Sequence, residues 1–84
     1  MKPFSISKGG LRYVIHYYRG HVIESFDISQ LGDEECKGKA FSVYPNLEAH
    51  QEGSDPLNAT YRIDFLREAK SFVDDLLDQG PLKG

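Results

Sequence analysis

The chain has 84 residues, a net charge of −3, 39% hydrophobic side chains, five Tyr, five Phe, one Cys and no Trp. That length makes a single domain, the aromatic content excludes wholesale disorder, and a lone Cys36 excludes an internal disulfide framework. No apolar run is long enough to cross a bilayer and no signal-peptide pattern succeeds Met1-Lys2, so a cytoplasmic chain away from membranes is expected.

Residues 2–7, with Pro3 near their start, predict a ragged first strand or arm, separated from residue 11 onward by the break at Gly9-Gly10. Residues 11–28, LRYVIHYYRGHVIESFDI, predict a β-hairpin, because branched and aromatic side chains fit a pleated, half-buried surface. A two-residue turn at Arg19-Gly20 pairs Tyr18 with His21, Tyr17 with Val22, Ile15 with Glu24, Tyr13 with Phe26 and Leu11 with Ile28. One face then carries Leu11, Tyr13, Ile15, Tyr17, Val22, Phe26 and Ile28, interrupted only by Glu24. The polar residues 29–38, with two glycines, predict a loop.

Residues 39–44 predict a third strand, with Phe41 and Val43 on one side and Ala40, Ser42 and Tyr44 on the other. Residues 45–55 are expected to be an exposed loop or a short turn with Leu47 tucked inward. Residues 59–63 alternate again and predict a fourth strand with Ala59, Tyr61 and Ile63 inward. Asp64 is placed to cap a helix over 65–79, whose apolar residues Phe65, Leu66, Ala69, Phe72, Val73, Leu76 and Leu77 recur at spacings of three and four. Gly80-Pro81 stops it. The fold class predicted is α+β: three or four antiparallel strands, with one C-terminal helix packed on the hairpin's apolar face.

No residue pattern announces chemistry. His16, His21 and His50, with Glu24, lack the close ligand pairs that zinc needs. Cys36 comes directly after Asp33, Glu34 and Glu35, which raise a thiol pKa where a nucleophile requires the reverse. The loop acids, Glu48, Glu52 and Asp55 included, lack the alternation of a calcium loop. No catalytic residue, metal or cofactor is therefore assigned.

Two oddities point to binding instead. Asp74, Asp75 and Asp78 lie in the second half of the helix, where the macrodipole already disfavours negative charge. Lys70 offsets Asp74 at i,i+4, but the other two have no such partner. The second is a tyrosine surplus, with Tyr18 and Tyr44 outside the apolar set and near Arg19 and His21, residue types that concentrate interface energy. Asp74, Asp75, Asp78, Tyr18, Arg19, His21 and Tyr44 are thus the expected partner-binding residues, and a protein with a basic surface is the expected partner. Pairing with a copy of itself would suit so thin a core.

Charge is also segregated along the chain. The first 23 residues hold four basic side chains and no acid, whereas the remainder holds six basic and thirteen acidic. The alternative reading is a nucleic-acid contact through Arg12, His16, Tyr18, Arg19 and His21, disfavoured by the overall acidity.

The short acidic chain, the YRID phrase running into FLREAKSFVDDLL, and the lack of catalytic motifs resemble small phage or mobile-element proteins of the anti-CRISPR inhibitor type. The resemblance implies a compact α+β inhibitor that blocks a nucleic-acid-handling complex by occupying a basic surface or by mimicking DNA charge. It rests on general make-up and carries over no functional residue. The basic N-terminal third departs from a pure mimic of DNA charge.

Overall fold

A computed structural model describes residues 3–32 and 38–79, apart from the Gln79 side chain. The loop bearing Cys36, Asp33, Glu34 and Glu35 and the Gly80-Pro81 stop lie outside the described residues. Four antiparallel strands are ordered in space as in sequence: β1 (Phe4–Lys8), β2 (Leu11–Tyr18), β3 (His21–Asp27) and β4 (Lys39–Tyr44). Among the described residues two α-helices follow, α1 (Leu47–Glu52) and α2 (Leu66–Gln79).

The central hairpin has the predicted register, from Tyr18↔His21 to Tyr13↔Phe26. Its turn puts Arg19 at φ 49° and Gly20 at φ 82°, a left-handed pair that matches the twist of the two strands. The Leu11–Ile28 pair does not form. After Asp27 the chain turns into a single 3-10 turn, Ile28–Leu31, and Gln30 reaches back to β2. Its Oε1 accepts from the Arg12 N–H at 2.8 Å, and its Nε2 donates to the Arg12 carbonyl at 2.8 Å. A side-chain amide thus replaces the last rung of the ladder. The ragged segment before Gly9-Gly10 is a true edge strand, β1, paired with β2 from Lys8↔Leu11 to Phe4↔Ile15.

Three further expectations are corrected. Residues 45–55 contain a helix: the Asn46 side chain accepts from the Ala49 N–H at 2.7 Å and Gly53 ends the turn at φ 80°, leaving Leu47 half-buried. Residues 59–63 are not a strand. They form turns after Pro56, with a lone bridge from Ile63 to Phe41, and of the three supposed inward residues only Ile63 is buried. Asp64 does not stand over the helix start. Its carboxylate meets Arg62 Nε at 2.6 Å, and the Phe65 carbonyl accepts from the Glu68 and Ala69 N–H groups.

The largest correction concerns the face that α2 covers. Paired residues share a face, so β2–β3 place Ile15, Tyr17, Val22, Glu24 and Phe26 on one side and Val14, His16, Ile23 and Ser25 on the other. Helix α2 packs on the second side. Its Ala69 and Val73 are fully buried with Ile23, Phe41, Val43 and Ile63. The β3–β4 register is the reason: it sets Val43 beside Ile23 and Phe41 beside Ser25. This builds a compact apolar floor in which Ile23, Phe41 and Val43 each contribute about 1.5–3 kcal/mol by burial. The predicted apolar face is left to α1 and to its own aromatic residues: Ile15 and Val22 are each 1% exposed there, and the residues around them are half-buried. Tyr13 stacks on Phe26 at 5.0 Å, Phe4 tilts against Tyr17 at 5.9 Å, and Lys8 lies 5.2 Å from the Tyr13 ring.

The outer edge of β4 is sealed without a fifth strand. Asn58, only 4% exposed, accepts from Val43 N–H at 3.0 Å and donates to the Phe41 carbonyl at 3.0 Å. Leu57 N–H donates to the Val43 carbonyl, and the Ile63 carbonyl accepts from Phe41 N–H. Replacing Asn58 with Ala leaves two buried backbone groups unpaired and is expected to lower stability by about 2–3 kcal/mol. Urea unfolding with an unchanged slope and faster amide exchange at Val43 would report it.

Candidate functional site

Among the described residues no group of three or more His, Cys, Asp or Glu side chains could hold a metal ion, and no helix is long and apolar enough to cross a membrane. His16 and His50 lie on opposite faces of the sheet, with His21 at the turn. The His21 Nδ1–H donates to the Arg19 carbonyl at 3.2 Å. Burial first, then Lys70 and Lys39, depress the pKa of His16.

His50 and Glu24 do meet. Helix α1 drops His50, 8% exposed, onto the face opposite α2, where its Nε2 lies 2.6 Å from Glu24 Oε2. The lone carboxylate interrupting the apolar row is thereby explained as the anchor of α1. Tyr44 packs edge-on against the His50 ring at 5.0 Å. Its phenol pKa is raised, chiefly by burial and then by Glu24. His50 Nδ1 is buried without a partner, and the ring borders a cavity of about 90 Å³ lined also by Phe4, Ile6, Ile15 and Leu47.

Asp74 is brought to the tip of the central hairpin. The Tyr18 hydroxyl donates to its carboxylate at 3.0 Å, and Arg19 Nη1 lies 2.6 Å from Oδ1. Lys70, predicted to offset Asp74, instead sits 5.4 Å over the Tyr18 ring. Three of the seven predicted binding residues therefore form a latch between α2 and the β2–β3 turn. The Arg19 hydrogen bond holds the Asp74 carboxyl below its ordinary range, and the Asp74 hydrogen bond pushes the Tyr18 phenol up. Tyr44, paired with Val22, lies on the face opposite Tyr18, so the tip cluster is divided by the sheet.

Asp75 and Asp78 are on the outer side of α2, Asp75 and Asp78 both reached by solvent. Between them Leu76 and Leu77, assigned to the buried stripe by their spacing, are 38% and 39% exposed. The latch explains this: Asp74 meets the turn where the sheet ends, and the last residues of α2 continue past it. Position relative to the sheet end, which periodicity does not encode, is what sequence reasoning missed. Arg12 and Lys39 border an open polar hollow of about 400 Å³, but Asp27 lies between them on β3. No family model, curated protein or solved structure matches this chain.

The latch makes stability depend on pH at both ends of the scale. Because the Asp74 pKa is lowered by folding, its latch contributes stability above pH 3.8 that is lost as pH falls through the folded value. Because the Tyr18 pKa is raised, its share is present below pH 10.0 and lost as pH rises through the folded value. In thermal melts across pH, Asp74→Asn is expected to flatten the acid limb and Tyr18→Phe the alkaline limb. Glu24→Ala, which strands His50 in a buried site, is expected to cost about 3 kcal/mol, and Glu24→Met with His50→Leu to recover most of it, both read by urea unfolding.

Proposed function

We propose that this chain is a small non-catalytic protein-binding module that docks on a basic, apolar-lined surface of another protein through the C-terminal end of α2. The observation that carries the reading is the overhang, where Leu76 and Leu77 are more than a third exposed and Asp75 and Asp78 stand exposed on the neighbouring side of the helix. A partner that buries the exposed part of Leu76 and Leu77 gains apolar contact, with Asp75 and Asp78 on the adjoining side of the helix. The acids set orientation and speed the encounter by charge steering. Asp74 has no share in this contact, being held by Tyr18 and Arg19.

The finer form of the proposal is an inhibitor of a nucleic-acid-handling complex, as for the anti-CRISPR type, because surfaces that grip phosphate backbones are basic. The nucleic-acid alternative loses part of its proposed surface to the fold, since Tyr18 is capped by Lys70 and bonded to Asp74.

The test compares proteins retained from source cells by the tagged wild-type chain, by Asp75→Lys/Asp78→Lys, and by Leu76→Ser/Leu77→Ser. A protein held by wild type in a salt-sensitive manner and lost from both variants, each still folded by circular dichroism, supports the reading. Undiminished retention by both variants, or a salt-dependent gel shift of DNA or RNA by the wild type, overturns it.

A further inference from the structure

The two edges of the sheet are finished differently. On β4 the outward N–H and C=O groups of Phe41 and Val43 are all bonded, to Asn58, Leu57 and Ile63. On β1 the two-residue Gly9-Gly10 turn makes Lys8↔Leu11 the closing hydrogen-bonded pair. Phe4, Ile6 and Lys8 therefore spend their backbone groups on β2, and those of Ser5 and Ser7 point outward. Among the described residues nothing bonds them, and both residues are exposed. A bare edge of this kind is a template for another strand.

The side chains of β1 decide which strand fits. We propose that the β1 edge pairs antiparallel with β1 of a second copy about a two-fold axis through Ile6, joining two four-stranded sheets into one of eight. In that register Ser5 lies opposite Ser7 of the other copy and exchanges both backbone hydrogen bonds with it. Ser7 does the same with the other Ser5, so four new bonds form. Ile6 faces its own copy in the non-bonded position between them, where side chains come closest.

Phe4 lies opposite Lys8 on the shared face away from α2, setting a cation against an aromatic ring at each end of the ladder. Like charges are nowhere opposed. Shifting the register by two residues in one direction moves the axis to Ser7, sets Lys8 against Ile6 and leaves Phe4 unpaired, so the arrangement centred on Ile6 is the best match. Pro3, which has no N–H, and the Gly9-Gly10 turn bound the ladder at either end. Association through so short a ladder is weak and depends on concentration. It uses no residue of the α2 ridge, so each dimer presents that ridge twice, suited to bivalent engagement of a repeated partner.

Sedimentation equilibrium of the full chain between about 5 and 500 µM tests the pairing. The expected result is a mass rising from 9.5 kDa toward twice that value. Ser7→Pro removes an outward N–H without touching the β1–β2 ladder, and is expected to weaken association by about tenfold or more while leaving the circular dichroism unchanged. In a Cys36→Ser background, Ile6→Cys is expected to oxidise to a covalent dimer across the axis. Lys8→Cys is not, since its two copies would lie about 14 Å apart.

A mass constant at 9.5 kDa throughout, Ser7→Pro associating like wild type, or Lys8→Cys cross-linking as readily as Ile6→Cys would each overturn the pairing. Should Ser7→Pro lose its fold, the two cysteine variants decide the register by themselves.

Discussion

The side-chain amide of Asn58 is the contact on which the rest of the arrangement depends. Its carbonyl and its N–H₂ face the backbone of β4 as the peptide of another strand would, satisfying one donor and one acceptor. An amide buried this way has no water to fall back on, so its geometry is imposed on the segment that carries it. That segment leads through Ile63 into α2, and the clamp therefore sets where the helix begins. With Ile63 bridged to Phe41, the first turn of α2 starts beside the floor made by Ile23, Phe41 and Val43.

The choice of face is a consequence of the strand on which this clamp is fixed. A hairpin considered alone offers α2 a rich apolar side and a poor one. The addition of β4 reverses the preference, because Phe41 and Val43 fall on the poor side while Ala40, Ser42 and Tyr44 fall on the rich one. The rich side is then left with aromatic residues that shield one another, and with α1 held by the His50–Glu24 pair. Tyrosine tolerates this position because its ring can lie flat on the sheet while its hydroxyl reaches water.

The same packing sorts the acids of α2 into two kinds. Asp74 is turned inward to the hairpin tip, where Tyr18 and Arg19 consume it, and the backbone there accepts a non-glycine residue at positive φ to deliver the guanidinium. Asp75 and Asp78 remain outward, exposed to solvent. A run of aspartates that reads as one feature thus divides into a structural residue and a surface pair.

By itself the sequence determined what alternation and turn chemistry can determine. It set the central hairpin and its register, the sides of β4, the amphipathic α2 and the α+β class, because these depend on neighbours a few residues apart. The signals for α1 were also present, in Asn46 three residues before Ala49 and in Gly53, though they were outweighed by the polar composition around them. Only the tertiary structure decided that residues 59–63 lie along β4 without joining the ladder, that Glu24 meets His50, that Asp74 meets Tyr18 and Arg19, and which face α2 covers. Each of these joins residues far apart in the chain, and a face belongs to the assembled sheet rather than to any one strand. The apolar count of a hairpin changes meaning once a third strand has paired beside it.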